Sequence, residues 1–161
     1  MNLEDGNQIV TGKIHSQKSR LIHSFLIMQD GTGELIWGKI LNLNNIVVPR
    51  KIHKLGSGEY LLIGYYTQIQ DQKYTQVTSD ILLKKFNREG KTIWEQKIGT
   101  DKYNEDAILA KPIEENSILI IGIQNQENSS LYCMKVNSEG ETLWTHSETI
   151  NLINDNIEVA A

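Results

Sequence analysis

The chain has few of the residues that cross-link or interrupt small folds, with one cysteine and two prolines among 161 residues. A lone Cys133 excludes an internal disulfide and a cysteine-based zinc site, and we expect it to be a small buried apolar residue. Apolar runs reach only four residues, as at 118–121, whereas a membrane-spanning helix needs about 20. These absences predict one ordinary domain that does not cross a membrane.

The sequence also lacks a strong excess of charge. Sixteen Lys and Arg residues are scattered among twenty Asp and Glu, giving a net charge of -4. Nucleic-acid binding requires a continuous basic face, so no nucleic-acid partner is expected. Residues 1–6 are acidic and lack the basic and apolar parts of a secretory signal. A cytoplasmic location is therefore expected if residue 1 is the natural start.

Two short patterns each occur three times in the chain. The first, an apolar residue followed by a turn, an apolar stretch and a glycine, spans 3–12, 55–64 and 113–122 and ends at Gly12, Gly64 and Gly122. The second, Asx-x-x-Gly-x-x-x-Trp, spans 30–37, 87–94 and 137–144. Its glycines are Gly33, Gly90 and Gly140, and its tryptophans are Trp37, Trp94 and Trp144. Such self-similarity indicates three copies of one structural unit.

The second pattern has a mechanical meaning. Asp or Asn at its first position can bond back to the turn backbone, and glycine at its fourth position tolerates the left-handed conformation of a bulged hairpin. It therefore predicts a tight turn between antiparallel strands. The strands expected before these turns are 24–28, 80–86 and 130–136, and those after them carry the tryptophans.

A fourth strand is predicted to open two of the units, at 47–52 and 107–111. The first unit has no such strand before it, and residues 156–161 are expected to supply one. The resulting boundaries are 1–43 plus 156–161 for unit 1, 44–100 for unit 2 and 101–150 for unit 3. Because the stretches 60–63 and 118–121 are apolar at consecutive positions, both faces of these sheets should be covered. A stack of small four-stranded sheets is the architecture of propeller blades.

These residues resemble the repeat of a bacterial β-propeller family that is similar to kelch and quinoprotein-type repeats. The closest copy is 58–64 followed by 80–94. The resemblance implies an all-β propeller in which a strand from one terminus completes the blade begun at the other. Because propellers have 4 to 8 blades, three units imply either two chains forming a six-bladed ring or one part of a longer propeller. A β-trefoil, which also has three four-stranded units, is the alternative fold.

The residues that could carry chemistry favour structural roles. A tryptophan at the same place in each unit is typical of packing between blades. This interpretation is favoured over a stack of tryptophans that binds a quinone. His15 and His23 would face each other if their hairpin were symmetric about Ser19, but no third ligand accompanies them, so no metal site is predicted. His53 and His146 are interpreted as surface residues. No catalytic residue and no cofactor are predicted.

Tyr65, Tyr66 and Tyr74 border the longest connection of the chain and form a candidate recognition surface, since tyrosine gives broad contact at low entropic cost. The alternative is that Tyr65 and Tyr66 are ordinary strand residues. The sequence thus favours a non-catalytic binding or assembly module that associates with itself or with a protein or glycan ligand. A lectin-like carbohydrate-binding repeat protein is the second hypothesis, and a quinoprotein-like enzyme fragment is the third.

Overall fold

The computed structural model describes residues 1–15, 22–41, 45–55, 58–67, 78–100, 103–114, 117–125 and 129–149. Within these ranges the regular structure is entirely β-strand, and no helix is present that could span a membrane. The strands are β1 (Gln8–His15), β2 (Ile22–Gln29), β3 (Leu35–Ile40), β4 (Ile46–Lys54), β5 (Tyr60–Thr67), β6 (Ser79–Phe86), β7 (Thr92–Ile98), β8 (Asn104–Glu114), β9 (Ser117–Asn125), β10 (Ser130–Asn137) and β11 (Thr142–Thr149).

These strands form three antiparallel sheets that follow one another along the chain. Sheet 1 has the order β1-β2-β3, sheet 2 the order β4-β5-β6-β7, and sheet 3 the order β8-β9-β10-β11. The predicted all-β class and the strands on either side of each turn are confirmed, and the strands form three sheets of three or four strands each. Among the described strands no pairing joins one sheet to another, which leaves the β-trefoil alternative without support.

The predicted opening strands are confirmed in two of the sheets. β4 pairs with β5 along the free side of sheet 2, and β8 pairs with β9 in the same way in sheet 3. Sheet 1 has only three strands within the described part of the chain, so β1 pairs on one side alone. Residues 156–161, which the sequence predicts to pair with β1, lie outside the described residues.

The three Asx-Gly turns have the predicted geometry. The side chain of Asp30 accepts hydrogen bonds from the backbone N–H groups of Thr32 and Glu34. Asn137 accepts the two equivalent bonds in sheet 3, and Asn87 accepts the second of them, from Lys91, in sheet 2. The fourth residue of each turn is a glycine with a φ of 90°, 71° or 84°. Each turn is followed by a register shift in the hairpin. The hairpin is therefore bulged, as a left-handed glycine requires.

The glycine that ends the first pattern lies opposite a second bulge. Gly64 pairs with Pro49, and the register of β4 then shifts. A Cβ on Gly64 would collide with the carbonyl oxygen of Val48 and lie 3.0 Å from the Cα of Pro49. Gly122 has an equivalent position beside a bulge of β8. Glycine is needed here because the first strand of the sheet approaches too closely for any side chain.

Two hydrophobic clusters hold the sheets together, and each lies between consecutive sheets. The first joins sheet 1 to sheet 2, and its buried members are Ile9, Leu26, Met28, Tyr60, Leu62 and Phe86. The second joins sheet 2 to sheet 3, and its buried members are Leu61, Ile63, Ile81, Leu83, Ala107, Ala110, Ile118, Ile120, Tyr132, Met134 and Val136. Sheet 2 is therefore covered on both faces, as its consecutive apolar residues predict.

Candidate functional site

The contact between sheets 1 and 2 is centred on Trp37. Its indole Nε1 donates a 2.8 Å hydrogen bond to the carbonyl oxygen of Arg88, the second residue of the turn in sheet 2. The ring lies over the fourth residue of that turn, since its Cη2 and Cζ3 atoms would be 3.0 Å from a Cβ on Gly90. Trp37 also meets Phe86 edge to face, with ring centroids 6.5 Å apart. We call this arrangement of tryptophan, carbonyl and glycine the tryptophan–turn contact.

The same contact recurs between sheets 2 and 3. The Nε1 of Trp94 donates a 2.7 Å hydrogen bond to the carbonyl oxygen of Ser138, again the second residue of a turn. The Trp94 ring lies over Gly140, with its Cζ3 2.9 Å from the position of a Cβ there. Because the contact has identical donor, acceptor and glycine positions in both places, it is a repeated means of joining one sheet to the next.

Both ends of the stack carry half of this contact. Trp144 in sheet 3 is 44% exposed and has no hydrogen-bond partner among the described residues. At the other end, no described atom lies within 4 Å of the position of a Cβ on Gly33. Among the described residues, nothing occupies the turn of Gly33 at one end of the stack or bonds to the indole of Trp144 at the other.

The outer face of sheet 3 carries an apolar patch together with the polar side chains of Lys135, His146 and Glu148. Cross-strand register places Leu119, Ile121, Leu131 and Cys133 on the face that bears Trp144, because strand residues alternate and their neighbours are buried against sheet 2. We call these five residues the tryptophan face of sheet 3. Trp144 and Leu131 are exposed, and the other three are half-buried. Cys133 is therefore less buried than the sequence predicts, because no described element covers its face.

The outer face of sheet 1 is apolar as well. The ring of Phe25 lies over Gly12, and Ile27 and Leu35 both lie beside Gly38 on the same side of the sheet. Ile40 pairs with Phe25 and therefore shares this face. We call Val10, Phe25, Ile27, Leu35 and Ile40 the receiving face of sheet 1. Its residues are half-buried or exposed, with Ile40 at 50%.

Polar side chains supplement the packing along the first strands of the sheets. Arg50 on β4 forms a 3.0 Å ion pair with Asp106 on β8, and its guanidinium lies 5.3 Å from the centre of the Tyr65 ring. Glu105 is 4% exposed and accepts a 2.8 Å hydrogen bond from Gln124. The ion pair of Arg50 with Asp106 connects sheet 2 to sheet 3, whereas the bond between Glu105 and Gln124 lies within sheet 3.

Tyr132 lies buried beside this polar group. Its side chain crosses Gly122 toward the backbone of Asp106. Burial raises the pKa of the Tyr132 hydroxyl far above its usual value, and the nearby carboxylates of Glu105 and Asp106 act in the same direction. The phenol therefore remains protonated at all physiological pH values and cannot serve as a general base.

Two of the three tyrosines of the candidate recognition surface are described. Tyr65 faces the guanidinium of Arg50, and Tyr66 has the Nζ of Lys97 3.6 Å from its ring centre. Both are strand residues of β5 and half-buried. Tyr74 lies outside the described residues. Cations thus cover part of both described rings, and the recognition role stays a prediction.

The predicted pairing of His15 with His23 is wrong. His15 pairs with Ile22, and His23 pairs with Ile14. The register is offset by one residue, so the two imidazoles point to opposite faces of sheet 1. Within the described ranges no group of three or more His, Cys, Asp or Glu side chains is arranged to hold a metal ion. His146 is exposed, as predicted, with its Nε2 3.0 Å from Glu148.

His53 is not the surface residue that the sequence predicts. It is half-buried on β4, and its Nε2 is enclosed without a hydrogen-bond partner among the described residues. Burial lowers the pKa of His53, and the charge of Lys51 lowers it further, against a weaker opposing hydrogen bond with the backbone of Ala110. The neutral imidazole is therefore the form that fits between sheets 2 and 3.

This environment predicts an acid-sensitive stability. An unfolded histidine takes up a proton near pH 6.5, whereas folded His53 resists protonation, so the unfolded state binds more protons as the pH falls. The free energy of unfolding should therefore be highest above pH 6.5 and decline below it. Denaturant unfolding at pH 7.5 and 5.5 should show a smaller decline for His53→Gln than for the unmodified chain. The exposed His15→Gln is the control, and an equal decline in all three proteins would contradict the assignment.

No protein-family model matches the chain, and no curated protein shows significant sequence similarity to it. The features that bear on function are therefore the tryptophan–turn contacts between the sheets and the outer faces of sheets 1 and 3.

Proposed function

We propose that the chain is a non-catalytic assembly module whose three blade-like sheets belong to a β-propeller completed by further sheets at both ends. One observation carries this proposal. The tryptophan–turn contact joins sheet 1 to sheet 2 and sheet 2 to sheet 3, and in the described part of the chain its two halves are unpaired at Trp144 and at the turn of Gly33.

The apolar end faces support the same conclusion. In sheet 2 the residues Leu61, Ile63, Ile81 and Leu83 are at most 2% exposed because sheet 3 covers them. Their counterparts in sheet 3 lie on its uncovered tryptophan face. Single exposed apolar residues are ordinary on monomers, whereas a large contiguous apolar patch marks an interaction surface. Covering both ends gains roughly 25 cal/mol for each Å² of apolar surface buried.

The polar groups fit an assembly role better than a catalytic one. Arg50, Asp106 and Glu105 act in contacts between or beside sheets 2 and 3, and buried Tyr132 is held protonated. Ion pairs between Lys54 and Glu4 and between Arg88 and Asp5 join sheets 1 and 2 in the same manner. The charged residues near the sheet contacts are therefore engaged in positioning one sheet against another.

A tandem protein of two complete chains joined by a flexible linker tests the proposal. If the end faces accept blade-like sheets, the linked copies should close on each other, because the linker raises their effective concentration to the millimolar range. Small-angle scattering should then give a radius of gyration near 20 Å, as expected for a compact body of this length.

The matched control is the same tandem protein with Trp144→Ala in both copies. It should be measurably more extended and should melt at a lower temperature. A tandem protein that behaves as two independent domains, with the scattering profile of the control, would overturn the proposed function.

A further inference from the structure

We propose that the missing sheets come from a second copy of this chain, bound head to tail, with Trp144 of each copy seated on the Gly33 turn of the other. This inference rests on the proposed function and names its partner. The two copies would enclose a ring of six sheets through two identical contacts. In each contact the Trp144 indole N–H would donate to the carbonyl oxygen of Gly31 of the partner copy.

The turn of sheet 1 has the acceptor in the required position. Arg88 and Ser138 supply the carbonyl oxygens used within the chain, and both are the second residues of their turns. Gly31 is the second residue of the first turn. Gly33 has a φ of 90°, close to the 84° of Gly140, and the space above it is free of described atoms. The first turn is therefore built like the other two but has no tryptophan on it.

The residue two positions after each tryptophan also takes part in the tryptophan–turn contact. Two residues after Trp37, the Cε of Lys39 also reaches Gly90, and two residues after Trp94, the Cγ of Gln96 reaches Gly140. Each receiving glycine is thus enclosed by a tryptophan and by the residue two positions later. His146 has this position after Trp144 and is exposed.

The sheet faces match in the same register. Phe25 lies over Gly12 in sheet 1 as Tyr132 lies over Gly122 in sheet 3. In sheet 3 this aromatic–glycine pair is on the face that sheet 2 covers. In sheet 1 the same pair is on the receiving face. On the opposite side, Leu131 and Cys133 of sheet 3 hold the positions of Ile81 and Leu83 in sheet 2. The tryptophan face of sheet 3 and the receiving face of sheet 1 are therefore the two sides of the contact already made twice in the chain.

The number of sheets favours a second copy as the partner. Propellers close with 4 to 8 blades, and six is the only multiple of three in that range. Two identical head-to-tail contacts related by a two-fold axis would close such a ring, so growth stops at the dimer. The same contact without closure would produce a filament.

Solution mass gives the first test. The unmodified chain should have twice the mass of one chain in size-exclusion chromatography with light scattering, and should remain dimeric at about 1 μM. Trp144→Ala should be monomeric, with unchanged far-ultraviolet circular dichroism because Trp144 is half-exposed within the chain. Trp144→Phe keeps the ring and loses the N–H donor in both contacts of the dimer, so its dimer should dissociate about thirtyfold more readily.

A mixing experiment tests the head-to-tail geometry. Ile40→Asp places a carboxylate on the receiving face of sheet 1 at an exposed position, so it should abolish the dimer without affecting the fold. In an equimolar mixture of Trp144→Ala and Ile40→Asp, a mixed dimer has one contact without any substitution. In that contact the tryptophan face of the Ile40→Asp chain meets the receiving face of the Trp144→Ala chain. Native mass spectrometry at about 100 μM should therefore show a mixed dimer, although each variant alone is monomeric.

Three results would overturn the second-copy proposal: a monomeric unmodified chain at about 100 μM, a dimer unaffected by Trp144→Ala, or variants that remain monomeric when mixed. A compact tandem protein alongside a monomeric single chain would uphold the proposed function and reject the second copy, leaving the rest of a longer propeller as the partner. An extended tandem protein would reject both.

Discussion

Replacing Trp94 with alanine should lower the free energy of unfolding by about 3–5 kcal/mol, the usual cost of removing a packed aromatic side chain. The change removes the ring that lies on Gly140 and the hydrogen bond to Ser138, and it opens the cluster between sheets 2 and 3. For a chain of this length the melting temperature should fall by on the order of 10 °C. Denaturant titration followed by circular dichroism measures the effect.

Two variants show which part of Trp94 matters. Trp94→Phe retains most of the packing and loses the donor, so its cost should be about 1 kcal/mol. Trp144→Ala in the Ile40→Asp background, where the chain is monomeric, removes the same residue from a contact that is unfilled. It should cost no more than about 1 kcal/mol. Equal losses for Trp94→Ala and Trp144→Ala in that background would show that the contact with the next sheet contributes nothing.

The second large effect is expected at Gly64. Alanine at this position would bring its methyl group against the backbone of Val48 and Pro49, and backbone atoms in a paired strand cannot move aside as a side chain can. Overpacking of this kind costs about 1–3 kcal/mol, and we expect Gly64→Ala at or above the upper end. Part of the pairing between β4 and β5 should open, which amide hydrogen exchange of Leu62 and Ile63 would report as faster exchange.

Gly38→Ala provides the matched control when it and Gly64→Ala are both made in the Ile40→Asp background, where the chain is monomeric. Gly38 is also a strand glycine, but its nearest neighbour is a methyl group of Ile27 at 3.3 Å on an uncovered face, which can shift. Its cost should stay within about 0.5 kcal/mol, because surface substitutions in strands are usually tolerated. A Gly64→Ala chain as stable as Gly38→Ala would mean that β4 retreats without loss and that the close approach is not a constraint.

The local parts of the fold were predictable because their causes are local. The side chains of Asp30, Asn87 and Asn137 bond within four residues of themselves, so the turn pattern in the sequence contains everything the turn needs. The strands on either side follow from the turn and from their apolar residues. The sequence alone therefore predicts the strands that form the three sheets.

The relations between sheets were less predictable, because identical local sequences have different neighbours. Trp37, Trp94 and Trp144 follow the same turn pattern, yet only Trp144 is exposed, since no described sheet lies against it. His53 looks like a surface residue in a basic stretch and becomes half-buried because β8 packs beside β4. The offset of His15 from His23 follows from the pairing register of β1 and β2. The amino-acid composition of the hairpin does not determine that register.

The order of the strands bears on how the chain folds. Each described pairing joins strands that are adjacent in sequence, so every hairpin can form before distant parts of the chain meet. The indole hydrogen bonds, which span 51 and 44 residues, are among the contacts that require whole sheets to dock. Folding rates rise as the mean sequence separation of contacts falls. This protein should therefore fold faster than sandwich folds of equal length, with formation of each sheet preceding the docking of sheets through their tryptophans.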